Sequence, residues 1–445
     1  MIRLSFVIAA SLVASLLHCA PVSAEDLMQI YQEAERNDPA LAAARANYQA
    51  TKEAVPQARA GLLPNVSVTG AVNANNYDAS IHTDPRVDVN RNFWFGDLAV
   101  SASQPLYRKA NQVAVSEANK QVEQADYTLE AAKQDLMLRV AATYFDILLA
   151  QFNVELAESQ KAAVSEQLAQ AKRNFEVGVA TITDTNEAQA AYDAIVAQEI
   201  SARNDLDNKR TALRAIIGRA PPDLKRLGPS FEPTLPTPNV LDFWVDKALA
   251  DNLAVKIAQY NSEIASLEIE RQRAGHLPTL DLVGSYGVQA SNGTTQLGVT
   301  SDARQAVIGL ALTIPLYQGG FVDSRVRQAI AQQDSARQNL ELARRIALFG
   351  AQTGFTGVNS AVASVKAFEQ ALVSANTAYE SNKTGQEVGV RTNLDVLNTQ
   401  QNVFQRRRDL AQAYFNYLLG VLRLKSAVGT LSIDDLQEIN RRLQG

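Results

Sequence analysis

Long segments of the chain carry apolar residues at alternating spacings of three and four. The segment 108–177 contains neither proline nor glycine, and its apolar positions include Ala118, Val122, Ala125, Leu129, Ala132 and Leu136. This spacing predicts a helix with a coiled-coil seam, which at ~1.5 Å per residue would be about 105 Å long. Further long helices are predicted over 183–217, 321–384 and 393–428, and shorter ones over about 26–60 and 240–274.

Between the short and the long helices, apolar residues alternate with small or polar ones. This pattern predicts two pairs of strands, at about 64–77 and 93–105 and at about 279–290 and 303–315, each pair joined by a polar loop. Such alternation is typical of transmembrane β-barrel strands, and the aromatic residues 93–95 fit an interfacial belt. The alternative is an ordinary sheet with one face on a core. The great length of the flanking helices favours the barrel.

Four strands cannot close a membrane barrel, because about eight is the smallest number that does. Open sheet edges are not tolerated in lipid. Other subunits must therefore complete the hairpins: two chains would give eight strands and three would give twelve. In such an assembly, the long helices of the subunits would also line up side by side and form a helical tube.

The chain also contains an internal duplication. Similar blocks recur in order and roughly 210 residues apart, among them GLLP at 61–64 with GHLP at 275–278, and VGV at 177–179 with VGV at 388–390. The duplication predicts a first repeat over 25–218 and a second over 240–429. A proline-rich connector, 219–239, lies between them, and a tail, 430–445, follows.

The N terminus and the composition narrow the possible functions. Residues 1–24 combine Arg3, an apolar stretch and a small-residue cleavage site, which is typical of a secretory signal peptide. The net charge of -5 argues against a nucleic-acid partner. With one cysteine and three histidines, the sequence has no zinc, iron–sulfur or disulfide framework. We find no catalytic constellation, cofactor motif or metal cluster, and we predict that the protein is not an enzyme.

Several motifs together resemble those of the TolC family, the outer-membrane channels of efflux pumps and type I secretion systems. They are the strand starts at 61–64 and 275–278, the strand ends QPLY at 104–107 and IPLYQGG at 314–320, the turns FEVG…TITD at 175–184 and EVGVRT…DVL at 387–397, and the tail LKSAVGTL at 424–431. The resemblance covers nearly the whole chain after residue 24.

The resemblance implies a mainly α-helical fold with a small β part. Two tandem repeats, each of long coiled-coil helices plus a β-hairpin, would trimerise into a 12-strand outer-membrane β-barrel on a periplasmic α-helical barrel. The connector would lie in an equatorial belt. The implied function is that of a passive exit duct in a Gram-negative type envelope. Its implied partners are outer-membrane lipid, a periplasmic adaptor (membrane fusion) protein and an inner-membrane transporter of RND or ABC type.

The resemblance also assigns residues to a periplasmic constriction. Asp395 matches a ring of acidic residues, and Asn398 occupies the position of a second ring that is usually acidic. This departure puts strong cation selectivity in doubt. The alternative from the sequence alone is that Asp395 is a solvated surface acid.

A gating network is implied beside the constriction. Arg391 matches a lock arginine, Thr183 and Asp184 match its partners on the first repeat, and Gln386 replaces a tyrosine. The alternative for Arg391 and Asp184 is ordinary helix-end chemistry, because an acid is favoured near a helix N terminus.

The turns at Gly178 and Gly389 are implied to contact the adaptor, and simple helix termination is the alternative for both. A rival from another class is a periplasmic coiled-coil adaptor or scaffold that never enters a membrane. It would lack the barrel-type strands and the duplicated helical units.

Overall fold

A computed structural model describes residues 24–82, 84–228, 232–293 and 299–444. The predicted signal peptide lies, apart from Ala24, outside the described residues. The protein is mostly helical with a small antiparallel sheet, as the sequence predicts.

The helices and strands alternate in the same way in both halves of the chain. In order they are α1 (Leu27–Asn37), α2 (Pro39–Lys52), α3 (Ala54–Ala60), β1 (Asn65–Ile81), β2 (Val87–Tyr107), α4 (Lys109–Glu176), α5 (Ile182–Ile217), β3 (Arg226–Leu227), α6 (Leu241–Asp251), α7 (Leu253–Arg273), β4 (Thr279–Ser291), β5 (Ser301–Thr313), α8 (Phe321–Glu387), α9 (Asn393–Ala427), α10 (Ile433–Asn440) and β6 (Leu443–Gln444).

Two helices dominate the molecule. Helix α4 has 68 residues and α8 has 67, so each is about 100 Å long at ~1.5 Å per residue. Helices α5 and α9 return beside them as antiparallel partners. In the described part of the chain, no helix has a stretch that is both long and apolar enough to cross a membrane.

The main hydrophobic core surrounds the middle of α4. Tyr144 and Phe145 of α4 are almost fully buried there, and the ring of Phe145 lies 5.7 Å from that of Phe415 on α9. The Tyr144 hydroxyl donates a hydrogen bond of 2.8 Å to the carbonyl of Lys225 in the connector. Strand β3 of the connector pairs with β6 of the C-terminal tail. Segments far apart in sequence therefore meet around the centre of the long helices.

A second junction lies beside this core, between the N-terminal helices and α4. Asp38 caps α2 by accepting from the Leu41 amide at 2.7 Å, and it also accepts from both terminal nitrogens of Arg139. Asp38 is 3% exposed. The hydrogen bonds from Arg139 are the main reason that the pKa of Asp38 is lowered.

The four longer strands form one antiparallel sheet in the order β1-β2-β4-β5. Strands β1 and β5 are therefore its edges. The first β-hairpin, β1–β2, is longer than the sequence predicts, because residues 78–81 and 87–92 continue β1 and β2 and are not part of a loop. This segment contains many polar residues and was therefore predicted as a loop. Its apolar and polar residues nevertheless continue to alternate, and Ile81, Val87 and Val89 all point to one face.

Candidate functional site

The sheet has one apolar and one polar face. In this protomer the apolar face is exposed, and its members include Val66, Val68, Val72, Leu98, Val100, Leu282, Tyr286, Ile308, Leu310 and Leu312. The opposite face carries small or polar residues, such as Ser67 and Ser101, whose hydroxyls are 2.8 Å apart. An exposed apolar face opposite a polar one is the pattern of strands with lipid on one side and a water-filled lumen on the other.

The aromatic belt expected at residues 93–95 is only partly formed on the lipid face. Trp94 lies on the apolar face with Leu98 and Val100, but Phe93 and Phe95 point to the opposite face. The reason is the two-residue period of a strand, which sends consecutive side chains to opposite sides.

An ion pair joins the sheet to the helices. The guanidinium of Arg108, between β2 and α4, donates to both carboxylate oxygens of Asp281 on β4, from Nε at 2.9 Å and from Nη2 at 2.6 Å. Asp281 is 9% exposed. Bidentate pairs of this kind fix orientation as well as position. This contact, which the sequence analysis missed, holds the base of the two hairpins together where the long helices begin.

The far ends of the long helices form two tips of similar geometry: the first tip, 177–184, and the second tip, 388–395. Gly178 and Gly389 adopt left-handed φ values of 81° and 80°. Such values favour glycine and end α4 and α8. Both tips expose apolar side chains beside the glycine: Val177 and Val179 at the first tip, and Val388 and Val390 at the second.

The acidic residues predicted for the gate are helix caps. At the first tip, Asp184 accepts from the Thr181 amide at 2.8 Å, and its own amide donates to the Thr181 hydroxyl. Asp395 and Thr392 make the same pair of bonds at the second tip. These are capping boxes. The hydrogen bonds from Thr392 are the main reason that the pKa of Asp395 is lowered, with a smaller contribution from the charge of Arg391.

The two tips differ in the residues that surround these caps. Arg391 at the second tip occupies the position of Ala180 at the first, and its side chain crosses Gly385, which corresponds to Asn174. Gly385 was missed by the sequence analysis, although the exchange of Asn174 for glycine together with Ala180 for arginine is visible in the aligned halves.

The remaining predicted gate residues lie near these positions. Gln386 donates to the Asn393 side chain at 3.3 Å. Thr183 and Asn398 are exposed, and Asn398 follows Asp395 by one helical turn. Within the described residues of one protomer, no hydrogen bond joins Asp184 to Gln386.

Leu397 provides the packing between the two tips. It is buried in a cluster with Leu168 and Ala171 of α4 and Ala188 of α5. Helix α9 therefore packs against the α4–α5 hairpin within the segment that carries Asp395 and Asn398.

The two helical hairpins are cross-linked to different degrees. Between α4 and α5, Lys161 donates to Glu199 at 2.8 Å, Arg203 donates to Glu158 at 2.7 Å, and Lys209 donates to Asp146 at 2.9 Å. Between α8 and α9, the Tyr414 hydroxyl donates to Glu369 at 2.6 Å, and beside the second tip Gln386 donates to Asn393 at 3.3 Å. Close packing at Gly354 and Gly420 supplements these bonds. Ion pairs thus join α4 to α5, whereas the described residues form no ion pair between α8 and α9.

Comparison with known proteins agrees with this architecture. The chain matches the family model "Outer membrane efflux protein" over residues 30–219 and 244–430. It is 35% identical to the outer membrane protein TolC of Vibrio cholerae serotype O1 over 95% of both chains. It is 30% identical to the proteases secretion protein PrtF of Dickeya chrysanthemi, over 93% of this chain and 90% of that one. Its fold is similar to that of the crystal structure of the outer membrane protein VceC from Vibrio cholerae, with a TM-score of 0.75 and 19% identity over 91% of this chain and 96% of that one.

The fold, the two-faced sheet and these similarities define an outer-membrane channel protein. The chain belongs to the outer membrane efflux protein family. It is an outer-membrane exit duct for efflux and secretion, and the rival periplasmic scaffold is therefore excluded.

Proposed function

We propose that three copies of this chain form a channel-tunnel that serves as the passive exit duct of a tripartite efflux pump or a type I secretion system. The observation that carries the proposal is the sheet β1-β2-β4-β5, which has two open edges and an exposed apolar face. Lipid does not tolerate unpaired edges, so β5 of one copy pairs with β1 of the next.

The number of strands favours three copies over two. An eight-stranded barrel has an interior just wide enough to be filled by its own side chains. Two copies would therefore leave no duct. Three copies supply twelve strands, whose barrel has room for a lumen lined by the polar face.

The gate is proposed to lie at the helical tips. In a threefold assembly the second tips place three Asp395 carboxylates, with three Asn398 side chains one turn further along α9, around the axis. The weaker cross-linking of α8 to α9 makes the second hairpin the one that moves when the duct opens. Arg391, Gln386, Thr183 and Asp184 would supply the links that hold it against neighbouring helices in the closed state.

The proposed contact with a periplasmic adaptor uses the exposed valines at Gly178 and Gly389. Each tip presents two valines that are at least 69% exposed. Exposed apolar side chains in a cluster indicate a contact with another protein. The adaptor in turn would join the duct to an inner-membrane transporter of RND or ABC type.

The copy number is tested by extracting the protein from membranes and measuring its mass by native mass spectrometry. The proposal predicts that the protein is extracted only by detergent and has the mass of three chains. Stable dimers would contradict the twelve-stranded barrel. A protein that is released without detergent as a monomer would contradict membrane insertion altogether.

A further inference from the structure

The first β-hairpin extends well beyond the rest of the sheet. The pairing of β2 with β4 ends at Phe95 and Ser291, and the Trp94 amide makes a last hydrogen bond of 2.7 Å to the Asn292 side chain. Strands β1 and β2 pair for a further seven positions, 75–81 with 87–93. We call this part the outer ribbon. At ~3.3 Å per residue it is about 23 Å long.

The two faces of the hairpin exchange their polarity at the base of the outer ribbon. Below Phe95, the face that bears Ser67 and Ser101 is polar or small. The same face of the outer ribbon is mainly apolar, and its apolar members are Tyr77, Ala79, Ile81, Val87, Val89 and Phe93. Asn75 and Arg91, near the base, are its polar members. This face therefore changes from the composition of a lumen wall to that of a packing surface.

The opposite face changes in the reverse direction. It is apolar up to Trp94, and in the outer ribbon it consists of Asn76, Asp78, Ser80, Asp88, Asn90 and Asn92. Arg86 donates to Asp88 at 3.1 Å and to Ser80 at 3.0 Å, which keeps its charge on this side. All six residues on this face of the outer ribbon are polar, which indicates that the face is in water. The outer ribbon therefore does not lie with this face against lipid.

At the base of the outer ribbon, Phe93 lies against Gly293 of the same chain, but near its end Ile81 and Val87 are 48% and 47% exposed. An isolated two-stranded ribbon whose end leaves apolar side chains exposed is only marginally stable in water. The cover must approach from the lumen side, because the apolar face is continuous with the lumen wall of the barrel. In a threefold assembly the molecules on that side are the outer ribbons of the two other copies. The acidic outward faces, with Asp78 and Asp88, would then all point away from the axis, so their charges do not oppose the association.

The dimensions allow this contact. Twelve strands spaced by ~4.8 Å and tilted by ~40° form a barrel about 24 Å across. The radius is then roughly half of the length of the outer ribbon. An inward tilt of about 30° would bring its end to the axis.

We propose that the outer ribbons of three copies pack through their apolar faces and form a second closure, at the outer mouth of the duct. This inference rests on the proposed threefold assembly. The contact is a hydrophobic constriction, which hinders the passage of water and ions. The passing cargo separates the outer ribbons, and their apolar faces bring them back together afterwards.

Cysteine cross-linking tests the contact directly. Val89→Cys places a thiol on the apolar face, and Asn90→Cys, one residue further, places one on the polar face. The predicted signal peptide contains the only natural cysteine, Cys19, and the parent protein without an added cysteine controls for it. After oxidation of the detergent-purified trimer, about two thirds of the Val89→Cys chains should become covalent dimers, since only two of three symmetric thiols can pair. The Asn90→Cys chains should stay monomeric.

The result separates this inference from the proposed function. A trimer in which Val89→Cys gives no more dimer than Asn90→Cys would overturn the closure and leave the exit duct intact. A protein that is not a trimer by native mass spectrometry would overturn the assembly itself, and the closure with it.

A conductance measurement provides a second, independent readout. When two constrictions lie in series, the narrower one limits the current through the duct. The experiment therefore uses the Arg391→Ser background, in which the constriction at the second tip is expected to be open. Val89→Asp should raise the single-channel conductance above that of the background, because a charge on the apolar face hydrates the closure. Asn90→Asp adds the same charge on the polar face and should leave the conductance unchanged. Equal conductance for both variants would contradict the closure.

Discussion

The side chain of Arg391 lies across Gly385, in the last turn of α8. A Cβ atom built on Gly385 would stand 2.7 Å from Cγ of Arg391 and 3.4 Å from its Cβ. A real Cβ atom essentially never comes within 3.0 Å of a non-bonded heavy atom, so any other residue at this position must displace the arginine. Gly385 thus determines where the charge of the second tip is located.

Gly385→Ala is therefore expected to act on the gate through Arg391. The methyl group displaces the arginine side chain and weakens its proposed links to the neighbouring hairpin. The single-channel conductance should rise, as it should in Arg391→Ser. The double variant, Gly385→Ala with Arg391→Ser, should have a conductance close to that of Arg391→Ser alone. Gly357→Ala, on the same helix with no atom within 4 Å of its added Cβ, is the matched control. Parental conductance in Gly385→Ala would refute this role.

Thr392→Ala removes one side of the capping box at the second tip. Loss of a threonine cap costs about 1 kcal/mol of local helix stability. The first turn of α9 should therefore exchange its amide hydrogens faster, by roughly five-fold for 1 kcal/mol. Hydrogen exchange measured by mass spectrometry over 390–400 checks this. Thr181→Ala should have the same effect at 180–188 alone, and faster exchange at both tips from either variant would be incompatible with independent caps.

Asp38→Asn should make the thermal stability less dependent on pH. The pKa of Asp38 is lower in the folded protein than its ordinary value of 3.8. Its ionised carboxylate therefore stabilises the fold, and this stabilisation is fully present at any pH above the pKa of Asp38 in the unfolded chain. This stabilisation is lost as the pH falls through the folded pKa. The unfolding temperature of the parent should exceed that of Asp38→Asn at pH 7, and the difference should shrink below about pH 4. Asp207→Asn, at an exposed site, controls for net charge; a difference that grows on acidification would contradict the assignment.

Arg108→Met should destabilise the junction between the sheet and the helices. The substitution leaves the buried carboxylate of Asp281 without its partner, which is more harmful than the loss of the whole pair. The double variant Arg108→Met with Asp281→Leu should recover much of the lost heat resistance. The temperature at which the trimer dissociates in detergent measures both effects. If the double variant dissociates at a lower temperature than the single one, the ion pair is not the reason for the loss.

The long helices and the two-faced sheet are predictable from the sequence because each depends on local repetition. The segment 108–177, free of proline and glycine, became α4 (Lys109–Glu176) within one residue at each end. The tip glycines are equally visible, since Gly178 and Gly389 follow directly on the last helical turns. Local period and backbone conformation are properties that neighbouring residues determine.

The contacts that the sequence analysis missed connect residues that are far apart or depend on empty space. Arg108 and Asp281 are separated by 173 positions, and no local pattern relates them. Gly385 matters because it has no side chain, and the side chain of Arg391 occupies the space that a Cβ atom would fill. Most of the outer ribbon, 78–81 and 87–92, was predicted as a loop because its polar residues outnumber the apolar ones, although their alternation continues that of the strands.

The most direct test of the channel and its gate is the single-channel conductance of the purified protein in a planar bilayer. The parent should insert with a small, stable conductance, and Arg391→Ser and Asp395→Ala should each raise it. Arg173→Ser removes the same charge from the last turn of α4 at the first tip and should leave it unchanged. A folded protein that never inserts, or an equal conductance in all four proteins, would contradict a duct that is closed at the second tip.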